Sequence, residues 1–154
     1  MRTLLLSLKP EVFDTVYSGK KIYEHRRVFP DDDVIAYIYV SRPVQALRGI
    51  MYLGNKQNLQ DWKVRYSYDK NCIRRIDDYL EHHKVAMEIQ KFQDTTSIPL
   101  DKIRTEFPDF LIPQMYYYLD KLPLLDYLEN NLMPIGRPIE HSFENITSDM
   151  ICIH

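Results

Sequence analysis

Between Gly19 and Arg27 the chain gathers the side chains best suited to chemistry. The run Gly19-Lys20-Lys21-Ile22-Tyr23-Glu24-His25-Arg26-Arg27 holds four fixed positive charges, one carboxylate and one imidazole. Cations at this density suit a phosphate, which they hold through charge-assisted hydrogen bonds. From Ile22 the spacing becomes two. Ile22, Glu24, Arg26 and Val28 then share one face of a predicted strand, and Tyr23, His25, Arg27 and Phe29 share the other. If the first face is inside, Glu24 and Arg26 sit in low dielectric, where charges persist only when paired or beside a solvated cleft, and Lys21 closes over them from the preceding helix end. If the second is inside, Tyr23 and Phe29 are core residues and the charges keep the strand soluble. One alternating strand with mixed faces leaves both readings open.

The flanking sequence must position this run. Thr3 to Leu8 reads as a strand. Ser7 to Ser18 carries Pro10 in a first helical turn, apolar groups at Val12, Phe13, Val16 and Tyr17, and Gly19 as the stop, which makes a short amphipathic helix. Asp31-Asp32-Asp33 reads as a hydrated turn, since no glycine or downstream glutamate completes a calcium loop. Val34 to Val40 is a buried strand, and Ala46 to Leu53 another, with Gly49 marking a bulge or close approach and Gly54 closing it. Asn55 to Lys84 turns polar and aromatic, with Ile73, Ile76, Leu80 and His83 at helical spacing, and reads as a helical insertion whose last turn is capped by His82 and His83. Val85 to Phe92 returns to strand, with Glu88 facing outward. Ile98 to Ile103 runs from a turn into a short helix. Tyr116-Tyr117-Tyr118 enters a helical stretch split by Pro123, which leaves at least one tyrosine exposed. Asn130 to His154 is irregular, with Met150 to Ile153 as a final edge strand.

Composition narrows the classes. A chain of 154 residues, 45% hydrophobic and 27% charged, suits one α+β domain over residues 1–154, including the insertion at 55–84 and a C-terminal extension at 130–154. A formal charge of −2 confines any phosphate binding to a local patch. The cysteines Cys72 and Cys152 make no disulfide framework or metal knuckle, so a reducing compartment is expected. The apolar run Leu4 to Leu6 with Leu8 is too short for a signal or a membrane span, which points to the cytoplasm and no membrane partner. Four glycines form no phosphate loop or dinucleotide fingerprint. Nucleophile-elbow and His-Glu-x-x-His motifs are missing too. No cofactor and no metal are expected.

Taken in order, Leu6-Ser7-Leu8-Lys9-Pro10, Ser18-Gly19-Lys20-Lys21 with Glu24 and Arg26, Val40-Ser41-Arg42-Pro43, Gly49, Ile98-Pro99-Leu100 and Pro113-Gln114 resemble the ASCH domain, a member of the PUA-like superfamily. Gly19, Lys21, Glu24 and Arg26 meet its Gly-x-Lys-x-x-Glu-x-Arg signature, and the similarity spans about residues 3 to 120. The resemblance implies a partly closed β-barrel flanked by helices, with Glu24 and Arg26 in a cleft at the barrel mouth and Lys21 on its rim. It implies binding of RNA or a modified nucleoside. Ser41 and Arg42 would join the phosphate contacts, Tyr39 or one of Tyr116 to Tyr118 would stack on a base, and Gln114 would complete the ligand-binding set. An enzyme alternative comes from the same family, whose small members include amidohydrolases acting on N4-acetylcytidine through a lysine, a threonine and a distant glutamate. Lys21 matches the lysine, Glu24 replaces the threonine, and Glu88 is the candidate for the distant acid. Lys21 and Glu24 would then be catalytic, although Glu24 is expected to keep Lys21 charged. A metal-independent ribonuclease, and an adaptor that holds a protein partner through the 55–84 insertion, complete the alternatives.

Overall fold

The apolar run Leu4-Leu5-Leu6 is completely buried and supplies both sides of a sheet. In the computed structural model, which describes residues 1–153, strand β1 (Arg2–Leu8) enters helix α1 (Pro10–Tyr17) with Pro10 in the first turn. The chain then returns through β2 (Tyr23–Arg26) and β3 (Val34–Val40). Strand β3 runs parallel to β1, with Leu4 opposite Ala36 and Leu8 opposite Val40. Next come β4 (Ala46–Asn58), α2 (Leu59–Arg65), α3 (Lys70–Leu80), β5 (Val85–Gln93), β6 (Ile98–Pro99), α4 (Leu100–Glu106), β7 (Tyr116–Tyr118), α5 (Pro123–Asn131) and β8 (Ile139–Glu140). The strand order is β2-β5-β4-β3-β1-β7, with β6 on β4 and β8 on β5. The result is a mixed sheet curled into a half-barrel and flanked by helices, an α+β architecture of PUA-like form.

Alternation distributes the apolar side chains over two faces. The inner face carries Leu4, Leu6, Leu8, Val34, Ala36, Ile38, Met51, Met87 and Ile89, and α1 closes over it with Phe13 and Val16. On the outer face, Leu5, Tyr37 and Tyr39 pack against α4 and α5 through Ile103, Leu124 and Leu128. A third cluster joins Tyr23 and Ala86 to the α2–α3 hairpin through Trp62, Cys72, Ile76 and Tyr79, and it takes in Ile151 and Cys152 from the far end of the chain.

Several expectations change. Strand β4 does not close at Gly54 but continues to Asn58, because the polar groups of Asn55 and Gln57 find a buried partner on β5. The insertion is therefore helical only from Leu59 onward. The three tyrosines form strand β7 against β1, and Pro123 starts α5 where the missing N–H costs nothing, so it splits no helix. Residues 150–153 are not an edge strand: a 3-10 turn at Ser148–Met150 leads into the buried Ile151 and Cys152. His154, the last residue of the predicted extension, lies outside the described residues. No helix among those residues is long and apolar enough to cross a membrane.

Candidate functional site

Gly19, with φ +80°, reverses the chain after α1, and the Lys21 N–H donates to the Thr15 carbonyl. This turn delivers Lys21 to the start of β2, an edge strand paired only with β5. Glu24 lies opposite Met87 and Arg26 opposite Val85. Cross-strand partners share a face, so Glu24 and Arg26 point to the inner side. Tyr23 and His25 point to the outer side, where the α2–α3 hairpin covers them. Each face of β2 is buried, one by the sheet's own curl and one by the insertion: Tyr23 is a core residue as the second reading has it, but Glu24 and Arg26 are not solvent-facing charges. The alternation ends after Arg26, which leaves Val28 exposed and turns Phe29 into the core.

Glu24 is 4% exposed. Its Oε1 lies 3.3 Å from Arg26 Nε, a close ion pair without the alignment of a hydrogen bond. Arg26 Nη2 donates to the Ser7 carbonyl at 3.2 Å, so this side chain bridges from edge strand β2 to β1 across the open seam of the half-barrel. Glu24 Oε2 and Arg26 Nε are both buried without a hydrogen-bond partner among the described residues.

Lys21 is not on a rim. It is 4% exposed, and its Nζ donates to the Ile153 carbonyl at 2.9 Å and lies 3.3 Å from His25 Nδ1. Burial pulls the Lys21 pKa below its ordinary value against the opposing charge of Glu24, and Arg26 adds to the depression. Glu24 opposes the shift as expected, but desolvation outweighs one neighbouring carboxylate and the net direction is downward. His83 was expected only to cap its helix. Instead its ring packs against Tyr79 and faces His25 at 6.4 Å, and burial followed by the Arg26 charge holds its pKa below 6.5. The sequence hinted at His25 and His83 only through adjacency, in Glu24-His25-Arg26 and in His82-His83.

No family model and no curated protein matches the sequence. Solved structures do: ASCH from Zymomonas mobilis is 25% identical at a TM-score of 0.66, covering 85% of this chain and 96% of that one. A Tyr→Phe variant of the same bacterial protein gives 25% identity and a TM-score of 0.67 over 86% of this chain and 99% of that one. A Ser→Ala variant gives 26% and 0.64 over 84% and 96%. The chain has the ASCH domain fold.

Within this ASCH fold the remaining predicted residues separate. Ser41 follows β3, and its N–H donates to the Leu8 carbonyl, one residue along β1 from the carbonyl that Arg26 holds. Arg42 is exposed beside it. Gln114 is exposed next to Met115, whose carbonyl accepts from the Ser7 N–H. These three gather at the same end of the ASCH half-barrel as Arg26. Tyr39 does not: it is 1% exposed on the outer face and packs near Phe110, so it cannot stack on a base. Tyr116 is half-buried and packs on Phe29. Glu88 faces away from the inner core as expected, but it is buried and accepts hydrogen bonds from Asn55 Nδ2 at 2.8 Å and Gln57 Nε2 at 3.2 Å. It therefore occupies the opposite sheet face from Glu24 and does not complete a set with Lys21. Among the described residues no group of three His, Cys, Asp or Glu could hold a metal ion. The ASCH fold fits RNA-binding and hydrolase roles alike.

Proposed function

We propose that this protein binds a base of single-stranded RNA or a modified nucleoside at the seam edge of β2, through Lys21, Glu24 and Arg26. The observation that carries the reading is the pair of buried atoms Glu24 Oε2 and Arg26 Nε, neither of which has a hydrogen-bond partner among the described residues, although Nε lies 3.3 Å from Glu24 Oε1. An acceptor and a donor side by side complement the polar edge of a base, such as the amino group and ring nitrogen of cytosine. A buried polar atom without a partner costs about 1–3 kcal/mol, and a ligand that supplies the missing partner recovers it. Arg26 and Lys21 add positive charge for a phosphate, with Ser41 and Arg42 at the same end. Residence in the cytoplasm accords with this ligand and with two free, buried thiols.

The amidohydrolase reading gains one specific support, the depressed pKa of the buried Lys21, since a neutral amine can abstract a proton. Incubation with N4-acetylcytidine and chromatography for cytidine tests it. Product that disappears in Lys21→Ala makes the site catalytic, and no product leaves the binding role.

Fluorescence anisotropy with single-stranded oligonucleotides tests the main reading. Arg26→Ala should weaken binding and flatten its salt dependence by about 0.7 in the log–log slope for the lost phosphate contact. Glu24→Gln should alter base preference while leaving that slope in place. Titration curves identical to those of the unaltered protein for both variants would overturn the proposal.

A further inference from the structure

Residues 141–153 cross the β2 edge as a strap, and one of its carbonyls, that of Ile153, takes the hydrogen bond of the Lys21 ammonium. Beneath it lies a hollow of about 540 Å³ lined by Gly19, Lys20, Ile22, Asn145, Met150 and Ile153. The strap makes no strand pairing beyond β8. It is held instead by the His141 N–H bond to the Gln90 carbonyl and the Lys21 bond to Ile153, by a small apolar face, Phe143, Ile146, Ile151 and Cys152 against the hairpin cluster, and by a latch of two polar bonds made by one residue. Ser148 Oγ donates to Asp69 Oδ2 at 2.6 Å, and Arg75 Nη2 donates to the Ser148 carbonyl, also at 2.6 Å. Asp69 is at the same time the N-cap of α3, accepting from the Asn71 and Cys72 N–H groups, so the latch is fixed to a rigid helix start.

We propose that this strap is a gate over the nucleotide site: in the closed state a main-chain carbonyl occupies the position of a ligand acceptor at Lys21, and release of the Ser148 latch lifts the strap and admits the ligand. The proposal rests on the binding reading above. Its physical basis is the imbalance of attachments. The half-barrel is held by continuous strand pairing, whereas the strap is held by isolated hydrogen bonds at His141, Ser148 and Ile153 and a short apolar contact, so it opens at a lower free energy than the fold. Opening returns Lys21 to water and removes the burial that depresses its pKa.

The test uses the full chain with Ser148→Ala or Arg75→Gln, neither of which touches Lys21, Glu24 or Arg26. Maleimide labelling, read residue by residue by mass spectrometry, reports strap opening at Cys152, and amide hydrogen exchange in β3 reports global opening. Acetylation reports access to Lys21. Loss of one latch bond should speed labelling of Cys152 and acetylation of Lys21 about tenfold and leave exchange in β3 unchanged, while oligonucleotide affinity rises. Unchanged rates in both variants, or equal acceleration of Cys152 labelling and β3 exchange, would overturn the gate, because the strap then opens only with the whole fold. Affinity that stays constant or falls despite a faster Cys152 would overturn it as well. If Cys152 and Lys21 become accessible as expected but no variant, nor the unaltered protein, binds any oligonucleotide, the cover over Lys21 stands and the nucleic-acid reading fails.

Discussion

Glu24 pairs with Arg26 through one oxygen, and its other oxygen has no hydrogen-bond partner among the described residues. Removing it leaves the Arg26 guanidinium, itself mostly buried, with the Ser7 carbonyl as its hydrogen-bond acceptor among the described residues. Breaking one side of a buried ion pair typically costs about 3–5 kcal/mol. Glu24→Ala should therefore lower the unfolding free energy measured in urea by about 3 kcal/mol, near the bottom of that range, and Glu24→Gln, which keeps the shape, should lower it less. Histidines set the acid response. Burial holds the pKa of both His83 and His141 below their ordinary 6.5, so folding favours their neutral forms. That stabilisation is complete above about pH 6.5 and is lost as the pH falls through 6.5 toward the folded values, where the unfolded chain takes up protons first. Urea midpoints measured from pH 7.5 down to 5 should decline, and His83→Gln should shallow the decline. An equally steep profile in His83→Gln would assign the acid response elsewhere.

At the scale of elements, strand β4 shows how one backbone position fixes a register. Gly49 has φ +89°, its N–H donates to Thr95 Oγ1 at 2.8 Å, and a Cβ there would stand 2.8 Å from the Phe92 ring and 3.3 Å from Phe13. Gly49→Ala combines a disfavoured conformation, about 1–3 kcal/mol, with that crowding, and thermal unfolding should show a loss of at least this size. Helix α2 begins where the Asn58 side chain accepts from the Gln60 N–H, so Asn58→Ala should cost about 1 kcal/mol. The two prolines that open helices were read differently for a reason. Pro10 follows a strand and precedes apolar groups at helical spacing, which marks a helix start. Pro123 follows three tyrosines, too short a run to separate strand from helix by period, and its place at the first turn of α5 became clear only once β7 had paired with β1.

For the whole molecule, the insertion is a wall of the site as much as an appendage. Trp62 is 1% exposed, packs edge-on against Tyr23 at 4.9 Å, and donates from Nε1 to Gln57 Oε1. Trp62→Ala should cost about 3–5 kcal/mol and weaken the near-ultraviolet circular dichroism of the hairpin cluster. Deleting the insertion would uncover Tyr23 and Ala86, so an adaptor role is better tested by charging its exposed Val64 and Tyr68, which leaves the wall standing; retained capture of a protein partner by that variant would remove these two residues from any docking surface. By itself the sequence determined the α+β class, the first helix and its stop, the buried third strand, and the triad of Lys21, Glu24 and Arg26 that an ASCH resemblance singles out, because these depend on local periodicity, turn residues and a nine-residue run. Tertiary structure alone decided that both faces of β2 are covered, that Glu88 is buried against Asn55 and Gln57, that Tyr39 stands on the outer side of the sheet, and that residues from the far end of the chain lie over Lys21. Those outcomes depend on which segments pack against an edge strand, and contacts between residues as far apart as 21 and 153 leave no mark in local pattern.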